Sequence, residues 1–373
     1  MTNQFIIARM NSKSVHAVDG TGDVVQRHPL IGPCAWRGED LRRDDSWICE
    51  FGARDAGEID AAVSRALERK TSWPTLRRED FVLPNLSSRL AEMGTVLERG
   101  RGMVLIRGFP MAAYSSEQLR LAFMGVGLHL GIPVYQNAQG ERIREIRDEG
   151  ADRGARYGEV RSAEGGFLSS RARVASTGEL RFHTDRTDLV ALLCLQPARA
   201  GGVSRIASSV AVHNAMLHRR PDLLACLYQP YPRSRFGEES KENDAYYLLP
   251  VMATRDGFFT SHYSRTYIEA AQLIEGAPRL TDSQWQAIDS LAEIAAELCL
   301  EMRFEPGDIQ ILNSHVTYHA RSAYEDDGEP ARRRLLYRLW LCPPNNRPLP
   351  KDHAVLWGKT EPGELRGGIR QVA

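Results

Sequence analysis

The chain has 373 residues, in which 48 Lys and Arg residues balance 48 Asp and Glu residues, so that the formal net charge is zero. A neutral chain has no overall field that would attract nucleic acid or an anionic membrane surface, and we expect neither partner. A hydrophobic content of 42% with 26% charged residues is ordinary for a globular protein. No stretch approaches the roughly 20 apolar residues that a membrane-spanning helix requires.

The cysteines and the N-terminal residues indicate a cytoplasmic protein. Six cysteines are scattered along the chain without a CxxC pair, which argues against a zinc-binding or disulfide scaffold. Residues 1–7 do not combine a basic region with a sustained apolar run, so no signal peptide is predicted. The composition leaves the oligomeric state open, and a homo-oligomer is compatible with it.

The first hundred residues predict helices rather than strands. Residues 1–50 are polar and show only a weak pattern, whereas apolar residues recur at helical spacing between Ile59 and Ala66. A second helix is predicted over about 84–99. The apolar run 103–106 then predicts a buried strand, and a third helix is expected over about 115–130.

Two polar, loop-rich stretches interrupt the second half of the chain, at 139–179 and 230–246. Long loops are often functional covers, so both are predicted to be lids; an ordinary surface loop is an equally good interpretation of the first. Between and after them we expect a strand over 189–195, a helix over about 209–218, and a helix that begins at the capping box of Thr281 and Gln284. The absence of regular strand–helix alternation favours a mainly β core with α insertions over a parallel α/β sheet.

The sequence Arg181-Phe182-His183-Thr184-Asp185 contains a candidate metal site. Side chains two apart in an extended chain point the same way, so His183 and Asp185 would converge. One imidazole and one carboxylate are two of the three ligands of the facial triad that holds non-heme Fe(II) and leaves positions open for oxygen chemistry. An HxD triplet by itself is weak evidence, because a histidine in a strand is more often structural.

Two histidines could supply the third ligand, His315 and His319. Both lie far along the chain from His183, as expected for ligands that only tertiary folding brings together. His315 could equally be a polar residue at a strand end. His319 is preferred mainly because of the family resemblance described below.

The strand that begins near Arg334 has an unusual pattern of charges. Arg334, Leu336, Arg338 and Trp340 would share one face, with Leu335, Tyr337, Leu339 and Leu341 on the other. Arginines on a strand covered on both faces need anionic partners, because an unpaired buried charge is very costly. The partner could be a dicarboxylate such as 2-oxoglutarate, or acidic side chains from neighbouring strands.

Several motifs together resemble the TauD/TfdA (taurine dioxygenase-like) family of Fe(II)/2-oxoglutarate-dependent dioxygenases. They are His183-Thr184-Asp185, Gly201-Gly202-Val203-Ser204, Pro306-Gly307-Asp308 with Asn313 and His319, and Arg334 with Arg338. The resemblance spans about 100–345. The spacing between His319 and Arg334 is similar to that in amino-acid hydroxylases of the clavaminate synthase type.

The resemblance implies a double-stranded β-helix (jelly-roll) core flanked by helices. The expected domains are an N-terminal extension with helices packing on the core (1–100), the dioxygenase domain (101–345) and a C-terminal tail (346–373). The implied roles are iron ligands for His183, Asp185 and His319, 2-oxoglutarate contacts for Arg334 and Ser204, and a substrate contact for Arg338. Asn137 is a further candidate substrate contact, although a turn-stabilising asparagine is an alternative.

The implied activity is oxidation of a C–H bond in a small polar, carboxylate-bearing or amino-acid-like metabolite. Fe(II), 2-oxoglutarate and O2 would be consumed or bound, with release of succinate and CO2. Related halogenases replace the carboxylate ligand with a small residue, so Asp185 favours hydroxylation.

Two alternatives are a zinc hydrolase using the same ligands and a catalytically silent metabolite-binding protein. A zinc hydrolase needs a general base beside a ligand, as in HExxH, and none adjoins His183 or His319.

Overall fold

The computed structural model describes residues 28–112, 114–150, 159–162, 165–168, 170–235 and 245–369. Residues 1–27 of the predicted extension, 151–158 and 236–244 of the two predicted lids, and 370–373 of the tail lie outside the described residues. Within the described residues, none of the helices has both the length and the apolar character needed to cross a membrane.

Helices lie near the beginning and the end of the described residues and in the segments between the strands. They are α1 (Gly38–Leu41), α2 (Ala53–Glu68), α3 (Leu86–Arg99), α4 (Ser116–Leu128), α5 (Ser170–Val174), α6 (Ser209–Arg219), α7 (Pro221–Leu227), α8 (Arg265–Ala271), α9 (Asp282–Leu298) and α10 (Ala354–Trp357). Short 3-10 turns cover Asp45–Trp47, Trp73–Thr75, Arg78–Asp80, Pro330–Arg332 and Lys351–His353. As predicted, Thr281 caps α9, accepting a hydrogen bond from the backbone of Gln284.

The strands are short, and most of them pair with strands that are distant in sequence. They are β1 (Ile48–Glu50), β2 (Met103–Arg107), β3 (Ile132–Pro133), β4 (Ile143–Ile146), β5 (Glu159–Ser162), β6 (Gly165–Leu168), β7 (Leu180–His183), β8 (Leu189–Gln196), β9 (Ala200–Gly201), β10 (Ser204–Ser208), β11 (Pro230–Ser234), β12 (Tyr246–Pro250), β13 (Met252–Arg255), β14 (Phe258–Ser261), β15 (Leu300–Met302), β16 (Ile309–Asn313), β17 (Thr317–Arg321), β18 (Tyr324–Glu325) and β19 (Leu335–Cys342).

Two sheets form the centre of the fold. The major sheet has the order β1-β2-β16-β8-β19-β3, with β4 also paired to β19, and the minor sheet has the order β15-β10-β17-β7. Apolar side chains from both sheets, among them Ile206 and Met302 of the minor sheet and Val190 and Leu336 of the major sheet, belong to one buried cluster. The two sheets therefore face each other, as in a double-stranded β-helix.

Helices cover the outer face of each sheet. The helices α2, α3 and α4 share a buried cluster with Tyr337, Leu339 and Leu341 of β19, whereas α6, α7 and α9 pack against Ala207 and Tyr318 of the minor sheet. The side chains of β19 alternate accordingly: odd positions face the helices, and Leu336 and Trp340 face the interior. This alternation is the one that the sequence pattern predicted, and it directs Arg338 into the space between the sheets.

Both predicted lids contain regular structure. The first includes β4, which pairs with β19 in the major sheet, so residues 143–146 belong to the core and not to a loop. The second begins and ends with β11 and β12, which form an antiparallel pair. Polar composition concealed β4, because its two central residues, Arg144 and Glu145, interrupt any apolar run that would have indicated a strand.

The C-terminal segment forms one wall of the interior between the sheets. Arg366 donates hydrogen bonds of 2.6 and 2.9 Å to Asp188, and both side chains are buried. Beyond it, the backbone N–H of Ile369 donates to the carbonyl of Tyr135 at 2.8 Å. The segment that follows β19 is thus anchored through Arg366 to Asp188, three residues after Asp185.

Arg366→Leu is expected to lower the free energy of unfolding by about 3–5 kcal/mol, because it leaves the buried carboxylate of Asp188 without its cationic partner. Chemical denaturation followed by circular dichroism measures this change. Arg219→Leu is the control, since the exposed Arg219 forms an equally short pair with Glu297 at 2.6 Å, and its unfolding midpoint should hardly move. Equal destabilisation by the two variants would contradict an anchoring role for Arg366.

Candidate active site

Three side chains from the minor sheet meet at one point. His183 ends β7, Asp185 lies two residues further, and His319 in β17 is paired directly opposite His183. One ligand atom from each of the three lies within 4.8 Å of the others, and Nε2 of His183 is 3.8 Å from Oδ1 of Asp185. Atoms this close can bind a common metal ion, for which ligand distances are about 2.0–2.2 Å.

The protonation states of these residues suit metal binding. Burial lowers the pKa of His183 and, together with the neighbouring charge of His183, lowers the pKa of His319 to about 3. Burial alone would raise the pKa of Asp185, but the charge of Arg338, the interactions with the two histidines and the hydrogen bond from Trp340 outweigh it and lower that pKa to about 2. Neutral imidazoles and an ionised carboxylate are the forms that ligate a metal.

Hydrogen bonds orient two of the three side chains. Nδ1 of His183 donates to the carbonyl of Arg181 at 2.9 Å, which leaves Nε2 directed at the cluster. The Asp185 Oδ2 atom accepts hydrogen bonds from Nε1 of Trp340 at 2.8 Å and from Arg338 at 3.2 Å. With one oxygen held by β19, Asp185 keeps the other directed at the histidines.

Arg338 lines the outer cavity and also has partners within the protein. Its guanidinium pairs with Asp185 and donates through Nε to Gln136 at 2.7 Å, and its expected contact with an acidic group of the substrate stays a prediction. The side-chain amide of Gln136 in turn donates to the carbonyl of Arg338 at 2.8 Å. Arg338 thus has an acidic partner within the protein, the carboxylate of Asp185. An acidic side chain was the alternative to a bound dicarboxylate as the partner of the arginines in this strand.

Trp340→Phe is expected to weaken Fe(II) binding by about 10-fold or more, because the variant keeps an aromatic ring but loses the N–H that holds Asp185. The dissociation constant can be measured by anaerobic equilibrium titration. Trp357→Phe is the matched control, since Nε1 of Trp357 is buried but donates to no acceptor among the described residues. Identical iron affinities in the two variants would refute the orienting role of Trp340.

A narrow inner pocket extends from the cluster between the two sheets. Its wall includes His183, His319, Ser204, Phe304, Arg321 and Arg334. Arg334 is only 5% exposed, its guanidinium lies 5.1 Å from the ring centre of Tyr324, and its NH1 group has no hydrogen-bond partner among the described residues. Ser204 lines the same pocket, where its hydroxyl accepts a hydrogen bond from Gln310 at 3.0 Å.

A larger outer cavity opens on the other side of His183. It has an empty volume of about 930 Å³, including its open mouth, and shares His183 and Arg338 with the inner pocket. Asp185 is the one carboxylate in its described wall, which is otherwise rich in cations. The arginines of this wall are Arg144, Arg173, Arg181, Arg186, Arg265 and Arg338. Glu269, behind the wall, neutralises part of this charge by pairing with Arg181 and Arg265.

The structure separates the two histidines that sequence reasoning left as alternatives. His315 precedes β17 and is fully buried, where its Nε2 donates to Asp188 at 2.8 Å and its Nδ1 lies 2.7 Å from the hydroxyl of Thr260. Both ring nitrogens are therefore occupied by protein groups. His319 is the histidine that the fold places beside His183.

Asn137 does not line either pocket; it stabilises a turn, as its alternative interpretation predicted. Its amide donates to Glu141 at 2.8 Å, and its carbonyl oxygen accepts from the Glu141 backbone at 3.1 Å. The neighbouring Gln136 lines the outer cavity instead. Sequence reasoning missed Gln136 and also Arg321, although the position of Arg321 two residues after His319 in a strand could have indicated it.

Comparisons with known proteins agree with this geometry. The model of the taurine catabolism dioxygenase TauD, TfdA family matches residues 68–340. The chain is 30% identical over 341 residues to FR-33289 synthase of Streptomyces rubellomurinus, covering 90% of this chain and 96% of that protein. It is 28% identical to the taurine hydroxylase-like protein SAT17 of Stachybotrys chartarum, covering 83% and 81% of the two chains.

A solved structure has the same fold at much lower sequence identity. It is an asparagine oxygenase in complex with Fe(II), 2S,3S-3-hydroxyasparagine and succinate, with a TM-score of 0.60 and 14% identity over 79% of this chain and 93% of that chain. The likeness in fold and the family match over most of the chain lead to one conclusion. This protein belongs to the TauD/TfdA family of dioxygenases.

Proposed function

We propose that this dioxygenase uses Fe(II), 2-oxoglutarate and O2 to hydroxylate a C–H bond of a small, anionic, amino-acid-like metabolite, with release of succinate and CO2. The observation that carries the proposal is the position of the cluster of His183, Asp185 and His319. It lies where the inner pocket meets the outer cavity. One side can therefore accept a co-substrate while the other accepts the molecule to be oxidised.

The residues of the metal cluster and of the inner pocket fit Fe(II) and 2-oxoglutarate. Two imidazoles and one carboxylate are the donor set of a non-heme Fe(II) centre that keeps positions open. The buried NH1 group of Arg334 lacks an acceptor among the described residues, and a carboxylate of 2-oxoglutarate would supply one. Ser204 lies in the same pocket and can donate to that carboxylate when its hydroxyl is not turned toward Gln310.

The chemistry is divided between the bound groups and the protein. Iron and 2-oxoglutarate, when bound, supply the oxidising power by coupling O2 reduction to oxidative decarboxylation. His183, Asp185 and His319 are the side chains that would hold the metal. Trp340 and Arg338 keep Asp185 in place, and the apolar side chains of the inner pocket, such as Phe304, exclude water.

The outer cavity supports an anionic substrate. Its described wall contains several arginines and no carboxylate other than Asp185, which is already paired with Arg338. The relative whose structure contains hydroxyasparagine and succinate supports a small amino-acid-like molecule. The carboxylate at position 185 supports hydroxylation, because a small residue there would be needed to admit a halide to the metal.

Anaerobic titration tests the proposal directly. Adding 2-oxoglutarate to the Fe(II)-loaded protein should produce a weak visible charge-transfer band, and subsequent exposure to O2 should release succinate. Candidate anionic amino acids can then be screened for those that stimulate succinate release. Absence of the band from protein that binds one equivalent of Fe(II) would contradict the proposal.

The two alternative functions have less support. A zinc hydrolase would need a general base beside the metal, and among the described residues no carboxylate except the candidate ligand Asp185 lines either pocket. A catalytically silent binding protein would have no reason to retain the metal cluster together with Arg334.

We further propose that residues 101–345 form the catalytic domain. The described part of the N-terminal extension, 28–100, would pack on this domain, and the described part of the tail, 346–369, would close one side of the space between its sheets. All six cysteines are free thiols, which supports a reducing compartment such as the cytoplasm.

A further inference from the structure

The inner pocket contains a second buried arginine, Arg321, for which neither the family motifs nor the proposed function provides a role. Arg321 lies two residues after His319 in β17, so both side chains project from the same face of the strand. The intervening Ala320 faces the opposite way, into the cluster formed with the covering helices. Arg321 is 5% exposed and lines the pocket together with Arg334.

The hydrogen bonds of Arg321 are incomplete. Its NH2 group donates to the backbone carbonyls of Ser176, at 2.8 Å, and of Gly178. Its Nε and NH1 groups are buried and have no acceptor in the part of the chain that the structure describes, as is also true of NH1 in Arg334. Buried N–H groups of a charged side chain are rarely left without acceptors. In Arg321 and Arg334 these groups belong to two side chains that line one pocket beside His319, unlike those of the fully buried Arg233, which lies outside that pocket, and this placement points to an anion as their acceptor.

The two arginines line the same pocket, and no carboxylate is among its described lining residues, although Asp148 and Asp326 lie near enough to raise the pKa of Arg321. The ring of Tyr324 lies 4.7 Å from the guanidinium of Arg321 and 5.1 Å from that of Arg334. An aromatic face attracts cations, but it accepts few hydrogen bonds from them. Burial, and next the charge of Arg334, lower the pKa of Arg321 to about 10, which leaves it protonated at neutral pH.

The pocket therefore holds two positive charges that repel each other when it is empty. A bound anion would offset both their desolvation and their repulsion. The spacing also suits a short dicarboxylate: two residues of strand advance about 6.6 Å from His319 to Arg321. A five-carbon chain is roughly 5 Å long from end to end.

We propose that Arg321 is a second guanidinium that binds the distal carboxylate of 2-oxoglutarate together with Arg334. The inference rests on the proposed function and adds to it a binding residue outside the motifs shared with the family. It implies a strict preference for 2-oxo acids that carry a second carboxylate. A 2-oxo acid without one would leave both cations unneutralised.

The test compares two probes that differ only at the distal end. The Fe(II)-loaded protein is titrated anaerobically with 2-oxoglutarate and with 2-oxobutanoate, which lacks the distal carboxylate, and the charge-transfer band reports binding. Arg321→Met is expected to raise the Kd for 2-oxoglutarate by about 10- to 100-fold, the effect of losing one charge-assisted contact. Its Kd for 2-oxobutanoate should change by less than about threefold.

Arg233→Met is the matched control, because Arg233 is also fully buried and donates through NH2 to backbone carbonyls, with Nε and NH1 unpaired among the described residues. It lies outside the inner pocket, so its Kd for 2-oxoglutarate should stay within about threefold of the unmodified protein. Arg321→Lys keeps the charge and is expected to bind 2-oxoglutarate more tightly than Arg321→Met. It also provides a test if the methionine variant does not fold.

The outcomes separate this inference from the proposed function. The inference is supported if the unmodified protein shows the band and Arg321→Met weakens the binding of 2-oxoglutarate but not of 2-oxobutanoate. Equally weakened binding of both 2-oxo acids would mean that Arg321 only holds the backbone near Ser176 and Gly178. That result would overturn the inference and leave the proposed function intact. An unchanged Kd for 2-oxoglutarate would do the same. Absence of the band from the unmodified protein would overturn both.

Discussion

Alanine in place of His183, Asp185 or His319 is expected to abolish succinate formation from 2-oxoglutarate, with activity at least about 100-fold below that of the unmodified protein. Each variant removes one of three ligands from a site whose ligand atoms lie within 4.8 Å of one another. Two remaining ligands hold Fe(II) weakly and no longer leave the correct face open. Iron content after anaerobic loading and succinate release measured by chromatography report the two effects separately.

His315→Ala is the control for this series. His315 is bonded to Asp188 and Thr260 and is not part of the cluster, so the variant should still bind one equivalent of Fe(II) and retain activity. It should be less stable, because it removes a buried hydrogen bond to a carboxylate, and it must be assayed below its unfolding temperature. Lost iron binding in folded His315→Ala, with full activity in His319→Ala, would overturn the assignment of the third ligand.

Arg334→Met is expected to raise the Kd for 2-oxoglutarate by about 100-fold or more while leaving Fe(II) binding unchanged. Arg334 is buried in the inner pocket with an N–H group that lacks an acceptor among the described residues, and methionine would replace its charge with an apolar side chain of similar length. The distal carboxylate would then lose its hydration without gaining the cationic partner that Arg334 supplies. Anaerobic titration of the charge-transfer band gives the Kd.

Arg332→Met provides the comparison for Arg334, because Arg332 lies two residues away, its side chain is 70% exposed, and its one ion pair within the described part of the chain is with Glu329. It should bind 2-oxoglutarate like the unmodified protein. If Arg334→Met also required no more 2-oxoglutarate than the unmodified protein, the role of Arg334 would have to be rejected. A loss of iron binding in Arg334→Met would instead indicate damage to the cluster itself.

Local patterns predicted the regular elements well and their partners poorly. The helix that begins after Thr281 and the strand around 103–107 were recognisable because capping chemistry and apolar runs are properties of neighbouring residues. β4 was missed, since its residues Ile143-Arg144-Glu145-Ile146 form neither an apolar run nor an alternating pattern, and their strand character comes from pairing with β19. Its partner lies almost two hundred residues away, and no local pattern contains that information.

The amino-acid pattern alone indicated the ligand types, the face of β19 that carries Arg338 and the family, because these depend on residue identity and on the two-residue period of a strand. Which groups actually touch depended on long-range packing. The pairing of β7 with β17 brings His319 and not His315 to His183, and β19 sets Arg338 and Trp340 against Asp185. The grouping of Arg321 with Arg334 likewise exists only in the folded chain, since strands distant in sequence become neighbours through hydrogen bonding and shared apolar burial.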